Sequence, residues 1–280
     1  MVGSAARRRP RRPVCTEPIK YTGHAAILAD IDNLKKAMAA ADAVEGFMCS
    51  IGPGSFARSE DLHYNNPEEF VFAAAAAMRE EYKAIVDAGL VLQIDDPSLP
   101  DNWEMINPEP PLAEFKKFER VRMEALNHAL RGLPADRVRF HICWGSWHGP
   151  HTTDIPLADI VDLVLSVNAG AYSVEAGNPR HEHEWRVWRD VRLPDGKLLI
   201  PGVVSHATNI VEHPQGSRTA SCATPKWSAA RTSSLVPIAA LAVASILRSP
   251  GRSSKRSPQG PSSQPPSCGN SLRRHSFSPA

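Results

Sequence analysis

Short apolar runs alternate along the chain with longer stretches in which apolar residues recur every three or four positions. The short runs lie between turn-forming residues and have the length and composition of buried strands. The longer stretches have the spacing of amphipathic helices. The predicted strands are 46–51, 90–94, 138–144, 171–175 and 198–205, and the predicted helices are 25–41, 67–88, 113–131, 156–167 and 183–191.

Sequence signals mark the ends of two of these helices. Asn66 is a suitable N-cap, Pro67 occupies the first helical position, and two glutamates follow in the first turn. Gly89 and Gly132 come directly after predicted helices, where glycine commonly ends a helix. These signals support the helices over 67–88 and 113–131.

Strands that alternate with helices predict parallel β/α units and therefore an α/β fold. We predict a (β/α)8 TIM-barrel type fold that is incomplete, with about five consecutive parallel strands within residues 14–214 and helices outside. A doubly wound open sheet is the alternative. Against it, Gly-Pro-Gly at 52–54 is too short for the glycine-rich fingerprint that such sheets place after their first strand.

The charge of the 280-residue chain is unevenly distributed. All 30 acidic residues precede residue 215, whereas nine of the 32 basic residues follow residue 214, which leaves 23 basic residues in the acidic body. Residues 1–13 contain five arginines and no acidic residue, and we predict that they are disordered. A nucleic-acid-binding arm is the alternative for this segment. Because it lacks aromatic residues and precedes an acidic body, no nucleic-acid partner is expected.

Cysteine use and hydropathy favour a cytoplasmic protein. The five cysteines are irregularly spaced and do not form a disulfide framework. The longest apolar run, 235–247, contains Pro237 and is shorter than the roughly 20 residues that cross a bilayer, so no membrane partner is expected. The N-terminal arginines are not followed by the apolar segment of a secretory signal. Residues 215–280 are rich in Ser, Pro and Arg and are predicted to be mostly disordered.

Candidate chemistry centres on His141 and Cys143 in the strand 138–144. Residues i and i+2 of a strand point to the same side, so the imidazole and the thiol can converge on one ion. Zinc takes nitrogen and thiolate ligands of this kind, three or four at a time. The alternative is a buried histidine and cysteine packed in a core.

Other ionisable residues also follow the predicted strands. Asp95 and Asp96, Glu175 and His206 would meet at one end of a parallel sheet, where β/α barrels carry their chemistry. Glu175 would complete a three-ligand zinc site, and His206 could donate a proton to a leaving group. Two alternatives remain: Asp95 and Asp96 in a plain turn, and Glu175 in an ordinary salt bridge with Arg180.

The remaining histidines after these strands have a simpler interpretation. His148 and His151 are expected to be polar loop residues. His181, Glu182 and His183 are expected to form a solvated face.

The ordered set of strand-end motifs resembles the C-terminal catalytic barrel of cobalamin-independent methionine synthase. The motifs are QIDDP at 93–97, HIC at 141–143, SVE at 173–175 and GVVSH at 202–206. The resemblance covers about residues 14–214. No single motif is decisive, but their order and spacing are specific.

This resemblance implies a zinc-dependent methyltransferase that moves a methyl group from 5-methyltetrahydrofolate, as its polyglutamate, to homocysteine to make methionine. It implies that His141, Cys143 and Glu175 bind Zn2+. It also implies that Asp95 lies near the amino group of the thiol substrate and that His206 is the proton donor to the pteridine leaving group. Both partners would be small-molecule substrates.

Two parts of the family pattern are absent from the sequence: the first two barrel strands, and a final strand whose Thr-Asp-Cys-Gly motif supplies a second cysteine ligand. Cys222 has no family neighbours. When 217–242 are back-translated and each codon begins one nucleotide earlier, suitable codons give a helix and a strand ending in Thr-Asp-Cys-Gly. We interpret the chain as truncated at its N-terminus and frameshifted near Gln215. A natural low-complexity tail is the alternative.

Two other functions are consistent with these residues. The same zinc and thiol chemistry serves thiol alkyltransferases of the epoxyalkane:coenzyme M transferase type. The chain could also be an inactive fragment of such an enzyme. The donor, the acceptor and the oligomeric state do not follow from the sequence.

Overall fold

The computed structural model describes residues 13–106, 108–145, 151–205 and 213. Seven strands are assigned within these residues: β1 (Val14–Cys15), β2 (Phe47–Ile51), β3 (Glu60–Asp61), β4 (Val91–Asp95), β5 (Val138–His141), β6 (Ala171–Glu175) and β7 (Leu198–Gly202). Five of them form one parallel sheet in the order β2-β4-β5-β6-β7, and β1 pairs in parallel with β3.

Helices precede and connect the strands of the main sheet. They are α1 (His24–Ala40), α2 (Pro53–Phe56), α3 (Pro67–Asp87), α4 (Ser98–Met105), α5 (Leu112–Leu130), α6 (Leu157–Ser166) and α7 (Val187–Asp190), with short 3-10 helices at Ala135–Arg137 and Glu182–Arg186. The five strands lie side by side in the same order in which they follow one another along the chain, as in a β/α barrel. The predicted α/β fold with five consecutive parallel strands is confirmed, and among the described residues the sheet forms an incomplete barrel that does not close.

The helix-end signals act as predicted. Asn66 Oδ1 accepts hydrogen bonds from the backbone N–H groups of Glu68 at 3.0 Å and Glu69 at 3.5 Å. Gly89 and Gly132 have φ values of +82° and +75°, which residues with a Cβ rarely adopt.

The hydrophobic core lies between the sheet and its helices. Alternate strand residues such as Leu92, Ile94, Phe140 and Val174 are almost fully buried against it. The residues between them point to the opposite face of the sheet, which is the inner face of a barrel. Polar and ionisable side chains concentrate on that inner face, and the core holds the strands that carry them.

Two features differ from the sequence prediction. Residues 98–105, predicted as part of a proline-rich loop, form helix α4. Pro97 and Pro100 lie at its start, where a missing backbone N–H costs no helical hydrogen bond. The pairing of β1 with β3 was also not predicted, because two-residue strands carry no periodic pattern.

Among the described residues, no helix combines the length and the apolar character needed to cross a membrane. Residues 1–12 and 214–280 lie outside the described residues, so the predicted division into the segments 1–13, 14–214 and 215–280 stays a prediction.

Candidate metal centre

Three strand ends meet in register at the carboxyl edge of the sheet. The Cα atom of His141 pairs with Asp95 of β4 on one side and with Ser173 of β6 on the other. His141 Nδ1 lies 3.2 Å from Ser173 Oγ. Phe140 and Ile142 are fully buried, whereas His141 and Cys143 alternate with them and are partly exposed. The imidazole and the thiol therefore lie on the inner face of the sheet.

The Cys143 thiol lies among carboxylates. Its pKa is raised to about 11, first by burial and then by the negative charges of Glu175, Asp101 and Asp95. A hydrogen bond from the backbone N–H of Gly145 acts in the opposite direction. Negative charge around a partly buried thiol disfavours the thiolate. The same charge favours a divalent cation at this point, since the cation would offset the carboxylates and stabilise the thiolate.

Glu175 ends β6 beside these groups. Its Oε2 accepts a hydrogen bond from Asn178 Nδ2 at 2.9 Å. Arg180, considered above as its salt-bridge partner, directs Nη1 to Asp154 Oδ2 at 2.5 Å. Asn178 therefore contacts Glu175 through a neutral amide, and the Arg180 guanidinium is paired with the carboxylate of Asp154.

Asp95 is held on the inner face by its neighbour in β4. Gln93 Nε2 donates to Asp95 Oδ1 at 2.7 Å and also lies 3.4 Å from Cys49 Sγ on β2. This fixes a partly exposed carboxylate beside His141, where it can accept a hydrogen bond from a ligand.

Asp96 points the other way and is fully buried beneath the sheet end. Its Oδ1 accepts hydrogen bonds from Ser55 Oγ at 2.8 Å and Ser98 Oγ at 2.5 Å. A Cβ added to Gly52 would lie only 2.2 Å from Asp96 Oδ2. Asp96 therefore joins α2 and α4 to the end of β4 through hydrogen bonds. It is a structural residue and not only part of a turn.

A second cluster of ligand-type side chains lies next to this edge and was missed by the sequence reasoning. The donor atoms of Glu104, His151 and Asp154 all lie within 4.8 Å of one another. His151 was predicted to be a polar loop residue, but its side chain is only 4% exposed and its Nδ1 lies 2.9 Å from Asp154 Oδ1. A buried acid beside a histidine explains the difference, since each satisfies the other's polar atoms.

The predicted solvated face at 181–183 is correct for Glu182 and His183 and wrong for His181. The His181 side chain is 4% exposed and bridges Asp154 Oδ2 at 3.1 Å and Glu184 Oε2 at 2.8 Å. The i,i+3 spacing of His181 and Glu184, which brings both side chains to one side of a helical turn, is the sequence signal that could have predicted their contact. The contacts of Asp154 with Arg180 and His181 were not predictable from a local pattern, because these residues lie 26 and 27 positions further along the chain.

The residues predicted as ligands suit zinc by their chemistry. A histidine nitrogen, a thiol sulfur and a carboxylate at adjacent strand ends form a donor set that zinc accepts. The convergence of the donor atoms of His141, Cys143 and Glu175 on a single ion stays a prediction. His206, predicted as a proton donor, and His148 lie outside the described residues.

Comparison with known proteins identifies relatives of part of the chain. No family model matches the chain. It is 29% identical over 161 residues to the methionine synthase of Saccharolobus solfataricus, a match that spans 56% of this chain and 43% of that protein. The methionine synthase of Saccharolobus islandicus is 31% identical over 113 residues, 39% of this chain and 30% of that protein. The chain therefore spans less than half the length of these curated relatives.

Two further comparisons bear on fold and chemistry. The 2-hydroxypropyl-CoM lyase of Xanthobacter autotrophicus is 28% identical over 92 residues, which are 32% of this chain and 20% of that protein. A B12-independent methionine synthase from Shewanella sp. W3-18-1, solved with selenomethionine, superposes with a TM-score of 0.56 at 19% identity. That superposition covers 78% of this chain and 59% of the other, and it shows a shared fold. The chain is thus similar in sequence to methionine synthases over part of its length, and it shares the fold of a B12-independent methionine synthase.

Proposed function

We propose that this chain carries part of the active site of a zinc-dependent methyltransferase. The reaction moves the methyl group of 5-methyltetrahydrofolate, as its polyglutamate, to homocysteine and yields methionine. The observation that carries the proposal is the position of Cys143. It lies on the inner face with His141, within electrostatic reach of Glu175 and Asp95.

The roles follow from the chemistry of each group. His141, Cys143 and Glu175 would hold zinc as nitrogen, sulfur and oxygen ligands. Zinc bound there would lower the pKa of a thiol substrate and present it as a thiolate. Asp95, fixed by Gln93, would accept a hydrogen bond from the substrate's amino group. The same interpretation makes His206 the proton donor to the leaving group.

Three protein ligands are assigned to this site, where the family pattern has four. A site with one thiolate instead of two binds zinc more weakly and donates less electron density to it. We therefore expect zinc binding at one ion per 280-residue chain and little or no methyl transfer. Cys15, Cys49 and Cys143 are free thiols, which supports a reducing, cytoplasmic location.

A thiol alkyltransferase of the epoxyalkane:coenzyme M transferase type is the second candidate. The match to 2-hydroxypropyl-CoM lyase favours it, although that match covers less of the chain than the methionine synthase matches. The two candidates differ in the thiol they accept. Homocysteine carries an amino group that Asp95 can bind, whereas coenzyme M carries a sulfonate that the Asp95 carboxylate repels.

The test is calorimetric titration of the zinc-loaded chain with each thiol. We expect homocysteine to bind and to release a proton to the buffer, and Cys143→Ser to weaken binding of the metal and to abolish binding of the thiol. Cys15→Ser, which removes a free thiol on β1, is the matched control and should bind both. Preferential binding of coenzyme M would favour the second candidate. Zinc binding without binding of either thiol would identify an inactive fragment.

A further inference from the structure

A continuous chain of hydrogen bonds leads from Glu175 into the protein. Asn178 Nδ2 donates to Glu175 Oε2 at 2.9 Å. Arg180 donates to Asn178 Oδ1 from its backbone N–H at 3.1 Å and from Nε at 3.4 Å. Arg180 Nη1 then donates to Asp154 Oδ2 at 2.5 Å. The strand end of β6 is thereby connected to a carboxylate in the segment that follows β5.

Asp154 is itself held from several sides. His151 Nδ1 lies 2.9 Å from its Oδ1 and His181 Nε2 lies 3.1 Å from its Oδ2. The other ring nitrogen of His181 contacts Glu184 Oε2 at 2.8 Å. Glu184 Oε1 accepts the backbone N–H of Leu157 at the start of α6, at 2.7 Å. The hydrogen-bond chain therefore ends in the buried start of a helix and not in solvent.

The charges along this chain determine what Glu175 can do. Asp154 pairs with the positive charge of Arg180, and Asn178 contacts Glu175 through its neutral amide. A guanidinium on Glu175 would compete with a metal cation for the carboxylate, whereas an amide orients the carboxylate without neutralising its charge. Asn178 is only 4% exposed, so water competes little for this amide.

We propose that Asn178, Arg180 and Asp154 are positioning residues that orient the Glu175 carboxylate for a divalent metal ion. The inference rests on the proposed function, since it assigns Glu175 as a metal ligand. Asn178 sets the rotation of the carboxylate, Arg180 sets the orientation of the Asn178 amide, and Asp154 keeps the Arg180 charge away from Glu175. Residues like these, one contact away from a metal ligand, commonly affect metal affinity about 10- to 100-fold.

The experiment measures zinc affinity by competition with a chromophoric chelator, using the 280-residue chain. Asn178→Ala should weaken zinc binding by about 10- to 100-fold, and Asp154→Asn, which keeps the shape of the side chain, by roughly tenfold. Asp195→Asn is the matched control, because Asp195 also pairs with an arginine, Arg192, at 2.9 Å but on the exposed surface. It should leave the affinity within about twofold of the parent.

A double-mutant cycle separates positioning from a merely structural role. If Asn178 acts through Glu175, then Asn178→Ala should have no further effect on zinc affinity in a Glu175→Gln background. Additive effects of the two substitutions would overturn the proposal. So would variants that lower the thermal stability of the metal-free chain but keep the parent affinity for zinc.

Failure of the inference and failure of the proposed function give different results. A parent chain that binds zinc, with unchanged affinity in Asn178→Ala, overturns the positioning role alone. A parent chain that binds no zinc overturns the metal site and the positioning role together.

Discussion

Trp144 stacks on His181, with ring centroids 4.0 Å apart and ring planes 23° apart. Trp144 directly follows Cys143, and His181 lies on the segment that follows Glu175. Trp144 Nε1 also donates to the backbone carbonyl of Ile155 at 2.8 Å. The strand ends that carry the predicted metal ligands are therefore joined by an aromatic stack as well as by hydrogen bonds.

Substitutions of Trp144 should separate the contribution of the stack on His181 to stability from that of the hydrogen bond to Ile155. Trp144→Phe keeps a stacked ring but leaves the Ile155 carbonyl without its donor, which we expect to cost about 1–3 kcal/mol of unfolding free energy. Trp144→Ala also loses the ring and should cost about 3–5 kcal/mol. Urea denaturation of the metal-free chain measures both values. Equal losses in the two variants would show that the stack contributes nothing beyond the hydrogen bond.

Glu119 on α5 should make stability depend on pH. Burial raises the pKa of its carboxyl from 4.5 to about 8, against a hydrogen bond from Asn102 Nδ2 to Glu119 Oε1 at 2.7 Å. The folded state therefore keeps a proton that the unfolded state loses above about pH 4.5. Its contribution is fully present below that pH and is lost as pH rises through 8.

Glu119→Gln should remove this part of the pH dependence, because glutamine keeps the acceptor for Asn102 and carries no charge. We expect the variant and the parent to differ by less than about 1 kcal/mol at pH 5, and the variant to be more stable by roughly 2–4 kcal/mol at pH 8. Asp96, whose pKa burial also raises, leaves a residual slope of the same sign. Glu124→Gln, at an exposed position on the same helix, is the control and should show no such gain.

The N-cap of α3 should make a measurable contribution to stability. Asn66→Ala removes the acceptor for the N–H groups of Glu68 and Glu69 and should cost about 1 kcal/mol. Asn66→Ser supplies another capping oxygen and should recover most of the loss. A thermal melt distinguishes the variants, and equal melting temperatures for Ala and Asn at this position would contradict the assigned cap.

Gly52 should tolerate no side chain. A Cβ there would lie 2.2 Å from Asp96 Oδ2, so Gly52→Ala must displace a buried carboxylate and should cost about 1–3 kcal/mol. Gly202→Ala is a suitable control, since the atom nearest to its added Cβ is 3.5 Å away. Similar denaturation midpoints for the two variants would argue against the tight packing of the β2 end on Asp96.

The periodic parts of the fold were predictable because burial imposes a regular pattern. The five strands of the main sheet and the long helices follow from apolar spacing, and Asn66 marks the start of α3 from its capping chemistry alone. Helix α4 was not predicted, since eight residues with one proline directly before the helix and another at its third position give a weak periodic signal. This helix brings Asp101 and Glu104 to the site, so its omission also concealed two acidic residues.

The sequence also did not reveal side-chain contacts between segments that are distant along the chain. His141 and Cys143 share a strand face, so their common side follows from a spacing of two. The partners of Asp154, by contrast, include Arg180 and His181, which follow the next strand along the chain. Only the order of strands in the sheet brings these residues together, and no local pattern encodes that contact.

The central claim is that zinc binds at Cys143 and not at the acid and histidine cluster of Glu104, His151 and Asp154. X-ray absorption at the zinc edge, on the 280-residue chain loaded with one equivalent of zinc, tests it most directly. We predict one sulfur ligand at about 2.3 Å with nitrogen and oxygen ligands at about 2.0–2.2 Å, and loss of the sulfur signal in Cys143→Ser. A coordination shell of nitrogen and oxygen alone in the parent chain would contradict the account.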